Sequence, residues 1–151
     1  MTADFLFQAA TTTVLPAWLL LIFLPRWKWS AGLIVGSMVP ALLSLLYAAV
    51  IVVHWGGSEG GFGSLAGVSA LFDDPWLLLA GWVHYLAFDL FIGAWEVRDS
   101  QRMKIPHLLV VPCLLFTFLF GPVGLLMYLT LRGIRRRRFV IEEGGLATPT
   151  A

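Results

Sequence analysis

Residues 75–99 read Pro75-Trp-Leu-Leu-Leu-Ala-Gly-Trp-Val-His-Tyr-Leu-Ala-Phe-Asp-Leu-Phe-Ile-Gly-Ala-Trp-Glu-Val-Arg-Asp99. From Pro75 to Trp95 the stretch is long and apolar enough to cross a bilayer, yet His84 and Asp89 lie in its interior and Glu96, Arg98 and Asp99 follow at once. Ionisable groups are expensive in hydrocarbon, so inside a span they face a packed interior, a cavity or a partner. A helix of this kind cannot stand alone. It needs other helices, or a ligand, against its polar side.

The rest of the chain supplies such helices. The 151 residues are 59% hydrophobic and 13% charged, against roughly 25% charged in a soluble domain, and the mean hydropathy is +0.85. The composition is that of an integral membrane protein. A net charge of +1 offers nothing to a nucleic-acid partner. One cysteine, Cys113, makes no internal disulfide, and no Cys/His zinc spacing occurs. A phosphate-cradling glycine loop and a Gly-x-Ser-x-Gly elbow are also missing from the sequence. No metal and no cofactor is assigned.

Four spans are expected, at 5–24, 33–53, 75–95 and 107–131. Each approaches or exceeds the roughly 20 residues that carry a helix across about 30 Å of hydrocarbon. Backbone in lipid must satisfy itself, so helices are the expected form. Trp27, Trp29, Trp55, Trp76 and Trp95 fall at span ends, where tryptophan anchors to headgroups. The second connection, His54 to Asp74, is acidic and holds no Lys or Arg. Within it, Ser64 to Phe72 reads as a short interfacial helix with Leu65, Val68 and Leu71 or Phe72 on one face. The fold expected is therefore all-α: an integral membrane four-helix bundle with a short interfacial helix between the second and third spans. Residues 1–138 form one domain and 139–151 a polar tail. Four complete crossings put Arg132 and Arg135 to Arg138 on one side, and Arg26, Lys28, Arg98, Arg102 and Lys104 on the other. The positive-inside count then ties. The run of four arginines beside a helix end favours a cytoplasmic C-terminus.

The third span carries the candidate chemistry. Trp82, Asp89 and Glu96 are spaced by seven and share one stripe, since a helix drifts only about 20° per heptad. Tyr85 and Gly93 flank Asp89 at four residues. His84, Phe88 and Trp95 with Asp99 mark a second line around the axis. His107 opens the fourth span near the Glu96 end of the third. The plainer alternatives stand beside these. A buried Asp or His bonded across helices commonly locks a bundle, and Glu96, Arg98 and Asp99 also read as a charge network at the membrane surface.

The run Gly81 to Asp99 resembles the signature of the abscisic-acid-deficient-four-like family. Ile105-Pro-His-Leu-Leu-Val-Val-Pro-Cys113 and Phe118-Leu-Phe-Gly-Pro-Val-Gly-Leu-Leu126 are similar to the family's last helix. Gly63-Ser-Leu-Ala-Gly-Val-Ser-Ala-Leu-Phe72 is similar to its second-loop segment, and Pro25-Arg-Trp27 to the end of its first helix. The resemblance implies carotenoid chemistry. The family's plastid member, neoxanthin synthase, opens the 5,6-epoxide of violaxanthin into a hydroxylated allene without net redox change. This N-terminus lacks a transit-peptide character, so the expectation is a bacterial inner-membrane protein acting on a carotenoid or another polyisoprenoid, with membrane lipids around it and a homodimer as a possible assembly.

Epoxide-to-allene isomerisation needs an acid for the oxygen and a base for a proton on the neighbouring polyene carbon. A carboxyl group kept from water can be the acid and a neutral histidine the base. Asp89 as acid and His84 as base are the pair this reasoning selects. Glu96 and His107 are a second pair nearer the surface. Trp82, Tyr85, Phe88, Trp95 and Arg98 are the candidate substrate contacts. Two other functions fit the same residues: a carotenoid- or lipid-binding membrane protein without turnover, and a membrane enzyme acting on a different lipid.

Overall fold

The computed structural model describes residues 2–27, 29–57 and 59–136. The tail expected at 139–151, and Lys28, Arg137 and Arg138, lie outside the described residues. The described residues form six helices and no strand.

Helix α1, Ala3–Phe23, starts where the Thr2 hydroxyl accepts from the Phe5 amide at 3.3 Å. Helix α2, Ser30–Gly57, has an unusual beginning. Its first part, Ser30–Met38, is π-helical, and regular α-helix follows over Val39–His54. The wide turn has a cause in the next long helix. Arg98 donates from Nη1 to the Ala31 carbonyl at 2.9 Å, so that carbonyl is occupied by a side chain. A Cβ at Gly36 would collide with both Ala31 O and Arg98 Nη1, which is why a glycine stands there. A side chain inserted into the i→i−4 ladder is a recognised cause of local departure from regular α-helix.

Helix α3, Leu65–Asp73, is the short helix expected between the second and third spans. Ser64 caps it by accepting from the Gly67 amide at 3.0 Å. It buries Leu71 and leaves Leu65 out. Helix α4, Pro75–Arg102, is the centre of the molecule. Asp74 caps it through Trp76 N at 2.7 Å and Leu77 N at 3.2 Å, with Pro75 in the first turn where a missing N–H does no harm. It packs against α1, α2, α3 and the C-terminal helices, and buries Val83, Leu90, Ala94 and Val97 completely. Helix α4 ends at Met103 and Lys104, the latter in the left-handed region at φ 53°.

The stretch 107–131 folds as two helices, α5 (His107–Phe120) and α6 (Pro122–Arg136). They meet at Gly121, whose φ of +41° reverses the chain before Pro122. Contacts along α4 give the direction of each. Helix α5 climbs antiparallel to α4: Thr117 meets Glu96, Tyr85 meets Phe118, and Gly121 meets Asp89. A straight continuation would carry Tyr128 about 16 Å beyond Thr117. Instead Tyr128 and Arg132 both bond to Asp99, back near the C-terminal end of α4. Helix α6 thus returns beside α5, close enough that a Cβ at Gly124 would collide with the Thr117 backbone nitrogen.

Three helices, Ala3–Phe23, Ser30–Gly57 and Pro75–Arg102, are long and apolar enough to cross a membrane. The α5–α6 hairpin enters the bundle beside α4, turns at the level of Asp89 and comes back to the end it left. The seven basic residues among the described ones are Arg26, Arg98, Arg102, Lys104, Arg132, Arg135 and Arg136. All belong to that end of the bundle. The five-to-five tie assumed four complete crossings, and the reversal at Gly121 removes it.

Candidate functional site: carboxylates along the hairpin

One face of α4 presents three carboxylates to the hairpin. Asp99 is fully engaged. Its Oδ1 accepts from Arg102 Nη2 at 3.0 Å, and its Oδ2 accepts from the Tyr128 hydroxyl at 2.7 Å and from Arg132 Nε at 2.8 Å. Asp99, Tyr128 and Arg132 are all but fully buried. The ring of Trp95 meets Tyr128 edge-on with centroids 5.4 Å apart. This network joins the base of the hairpin to α4.

Glu96, one turn deeper, is fully buried. Thr117 Oγ1 donates to its Oε1 at 3.0 Å, while Oε2 is buried with no hydrogen-bond partner among the described residues. Asp89, two turns deeper again, rests at the tip. A Cβ on Gly121 would lie 2.7 Å from Asp89 Oδ1 and 3.0 Å from Oδ2, so the carboxyl group sits directly against the chain reversal. Asp89 Oδ2 is likewise buried and without a partner among the described residues. Tyr85, one turn from Asp89, donates its hydroxyl to the Phe118 carbonyl at 2.8 Å in the last turn of α5. An unsatisfied buried carboxyl oxygen is costly and calls for an explanation. Two on one helix face define a polar seam in an apolar bundle.

The remaining sequence candidates fall elsewhere. His84 is exposed from the bundle, stacked on Phe88 at 4.5 Å and beside Tyr47 of α2 at 5.8 Å. It borders a mostly apolar cavity of about 250 Å³ between α2, α3 and α4, with Trp55, Phe62 and Phe72. His84 and Asp89 therefore face different neighbours and are not brought together. Neither are Glu96 and His107: His107 Nε2 lies 2.9 Å from the Ile22 carbonyl, at the foot of α5. Trp82 donates Nε1 to Thr11 Oγ1 at 3.1 Å and packs on Phe7 and Tyr85. Arg98 is committed to Ala31 O and lies 6.0 Å over the Phe91 ring. Thr117, Tyr128, Arg132 and Gly121 belong to the seam and were not anticipated from sequence. The signal for them was the Gly121-Pro122 pair, a turn-forming dipeptide. Among the described residues no three His, Cys, Asp or Glu side chains group as metal ligands.

An apolar helical bundle with an acidic seam at a re-entrant hairpin is the class that the fold and site define. The chain belongs to the ABA DEFICIENT 4-like family, whose profile matches residues 5–128. It is also similar to the protein ABA DEFICIENT 4, chloroplastic, of Arabidopsis thaliana, at 25% identity over 146 residues. That alignment takes in 91% of this chain and 64% of the plant protein, so the chain spans less than two thirds of its relative's length. No solved structure matches.

Proposed function

We propose that this protein is a membrane-embedded isomerase of a carotenoid or related polyene, with Asp89 as its acid and Glu96 as its base. The observation that carries this is the pair of buried carboxyl oxygens, Asp89 Oδ2 and Glu96 Oε2, without hydrogen-bond partners among the described residues along one face of α4. Groups held this way are free to exchange a proton with a substrate. Family membership and the plant relative support the substrate class. In the reaction, Asp89 gives its proton to the epoxide oxygen as the ring C–O bond breaks. A C–H proton on the adjoining polyene carbon goes to the Glu96 carboxylate, and its electron pair forms the new double bond. Return of that proton to Asp89 restores the protein, so no redox partner is needed. The seven-residue spacing sets the two backbone positions about 10 Å apart along the helix, with Gly93 and the ring of Trp18 packed on the helix between them. His84, turned towards Tyr47, takes no part in this version.

Asp89→Asn, expressed in a host that makes epoxidised carotenoids, should lower product formation at least about 10²-fold by pigment chromatography. The variant should stay folded in the membrane. Turnover at the normal rate would remove Asp89 from the mechanism. A second reading is favoured by the close approach of Asp89 to Gly121: the carboxyl group locks the hairpin and the protein binds pigment without converting it. In that case Asp89→Asn loses thermal stability, and the parent protein co-purifies with unaltered pigment.

The basic end of the bundle supports an orientation as well. With seven described cations at one end and Asp4, Glu59, Asp73 and Asp74 at the other, we infer that the basic end, and with it the C-terminus, is cytoplasmic in a bacterial inner membrane. A cysteine introduced as Glu59→Cys should react with an impermeant maleimide in intact cells, and one introduced as Arg102→Cys only after permeabilisation. The reverse pattern would invert the assignment.

A further inference from the structure

We propose that the basic end holds a specific site for the phosphate headgroup of an anionic lipid, independent of the isomerase reading. A cavity of about 630 Å³ with a mixed polar and apolar lining opens there, between the turn after α1 and the α4–α5 turn. Its size lies within the range of about 300–1,000 Å³ usual for small-molecule sites. Arg26 enters from the first turn and Lys104 from the second, and among the described residues no carboxylate lines it. The nearest acid, Asp99, is already bonded to Arg102, Tyr128 and Arg132 and does not neutralise the pair.

The cavity is held open by specific contacts. Gln101 donates its side-chain amide to the Pro25 carbonyl, joining the two turns. The left-handed conformation of Lys104, φ 53°, redirects the chain at the end of α4. His107 is fixed to Ile22 O and starts α5 with no side chain capping its first turn, so the positive end of that helix opens on the same space. Three sources of positive potential thus converge.

The surroundings identify the source of the phosphate as a lipid. Leu24, next to Pro25, is 52% exposed, and Leu108, next to His107, is 84% exposed. Trp27 also stands out from the surface, as an interfacial anchor does. A charged cavity with an apolar rim at headgroup level suits an amphiphile whose chains lie along the bundle, and basic pockets between helices at a cytoplasmic surface are where anionic headgroups bind.

The test uses the whole protein in phosphatidylcholine nanodiscs, with phosphatidylglycerol added and retained lipid read by native mass spectrometry. The parent should retain phosphatidylglycerol over phosphatidylcholine, and the double variant Arg26→Gln/Lys104→Gln should lose that preference by about tenfold or more. Arg135→Gln, at the exposed end of α6, should keep it. The single variant Arg26→Gln, expected to lose part of the preference, serves if the double variant does not fold. Equal losses in Arg26→Gln and Arg135→Gln would reduce the effect to general surface charge and overturn the site. Displacement of the lipid by millimolar inorganic phosphate would overturn the lipid assignment, leaving a site for free phosphate.

Discussion

The base and the tip of the α5–α6 hairpin both rest on an aspartate of α4, and the two are treated oppositely. At the base, Asp99 is met by a tyrosine and two arginines. At the tip, Asp89 lies against a glycine and keeps a buried oxygen without a hydrogen-bond partner among the described residues. Glu96 stands between them in position and in character, with one oxygen bonded to Thr117 and the other not. The gradient teaches that the same residue type can be fully satisfied at one end of a helix face and left open at the other. A carboxylate ringed by donors fixes geometry and has little left to offer. A carboxyl group in an apolar seam with an open oxygen is the kind of group from which the proposed proton transfer could start.

The sharpest way to break this contrast is at the base. Asp99→Ala removes the carboxylate that faces buried Arg132, and truncating one member of a buried ion pair costs about 3–5 kcal/mol. Thermal unfolding in detergent should show a large drop in midpoint, with proteolysis appearing first in α6. Survival of the midpoint would mean that Asp99 does not hold the hairpin. A smaller effect is expected at the tip. Gly121→Ala places a methyl group 2.7 Å from Asp89 Oδ1 at a left-handed φ. Strain of this sort costs about 1–3 kcal/mol, and the displaced Asp89 should lower turnover more than the modest loss of stability explains. Measuring both quantities on the same preparation separates the two.

Much of the architecture was legible in the sequence, because it follows from length and apolarity. The apolar runs gave three long helices, Asp74 with Pro75 marked the start of α4, and Ser64 marked α3. The stripe of Trp82, Tyr85, Asp89 and Glu96 came directly from helical spacing. The hairpin was not legible, since the stretch from His107 to Leu131 is continuously apolar and long enough to cross. Only the Gly121-Pro122 pair betrays the reversal, and within spans prolines are often tolerated, as Pro16 and Pro112 are here. With the reversal unseen, Tyr128 and Arg132 had no reason to be placed on Asp99. His84 was paired with Asp89 because both lie deep in one span. Five residues apart on a helix, they project towards different neighbours, and only the packing of α2 against α4 shows which. The π-helical opening of α2 had no sequence signal of its own, since it depends on Arg98 arriving from a helix far along the chain.

The reversal at Gly121 bears on how the protein is made. Helices α1 and α2 can be handed to the bilayer one after another as they leave the ribosome, while α4 needs neighbours against its carboxylates. The hairpin cannot, because its halves are too short to span and its tyrosine and buried arginine need Asp99 already in position. Helices α5 and α6 thus complete their polar contacts only against an α4 already in place, since Tyr128 and Arg132 bond to its Asp99.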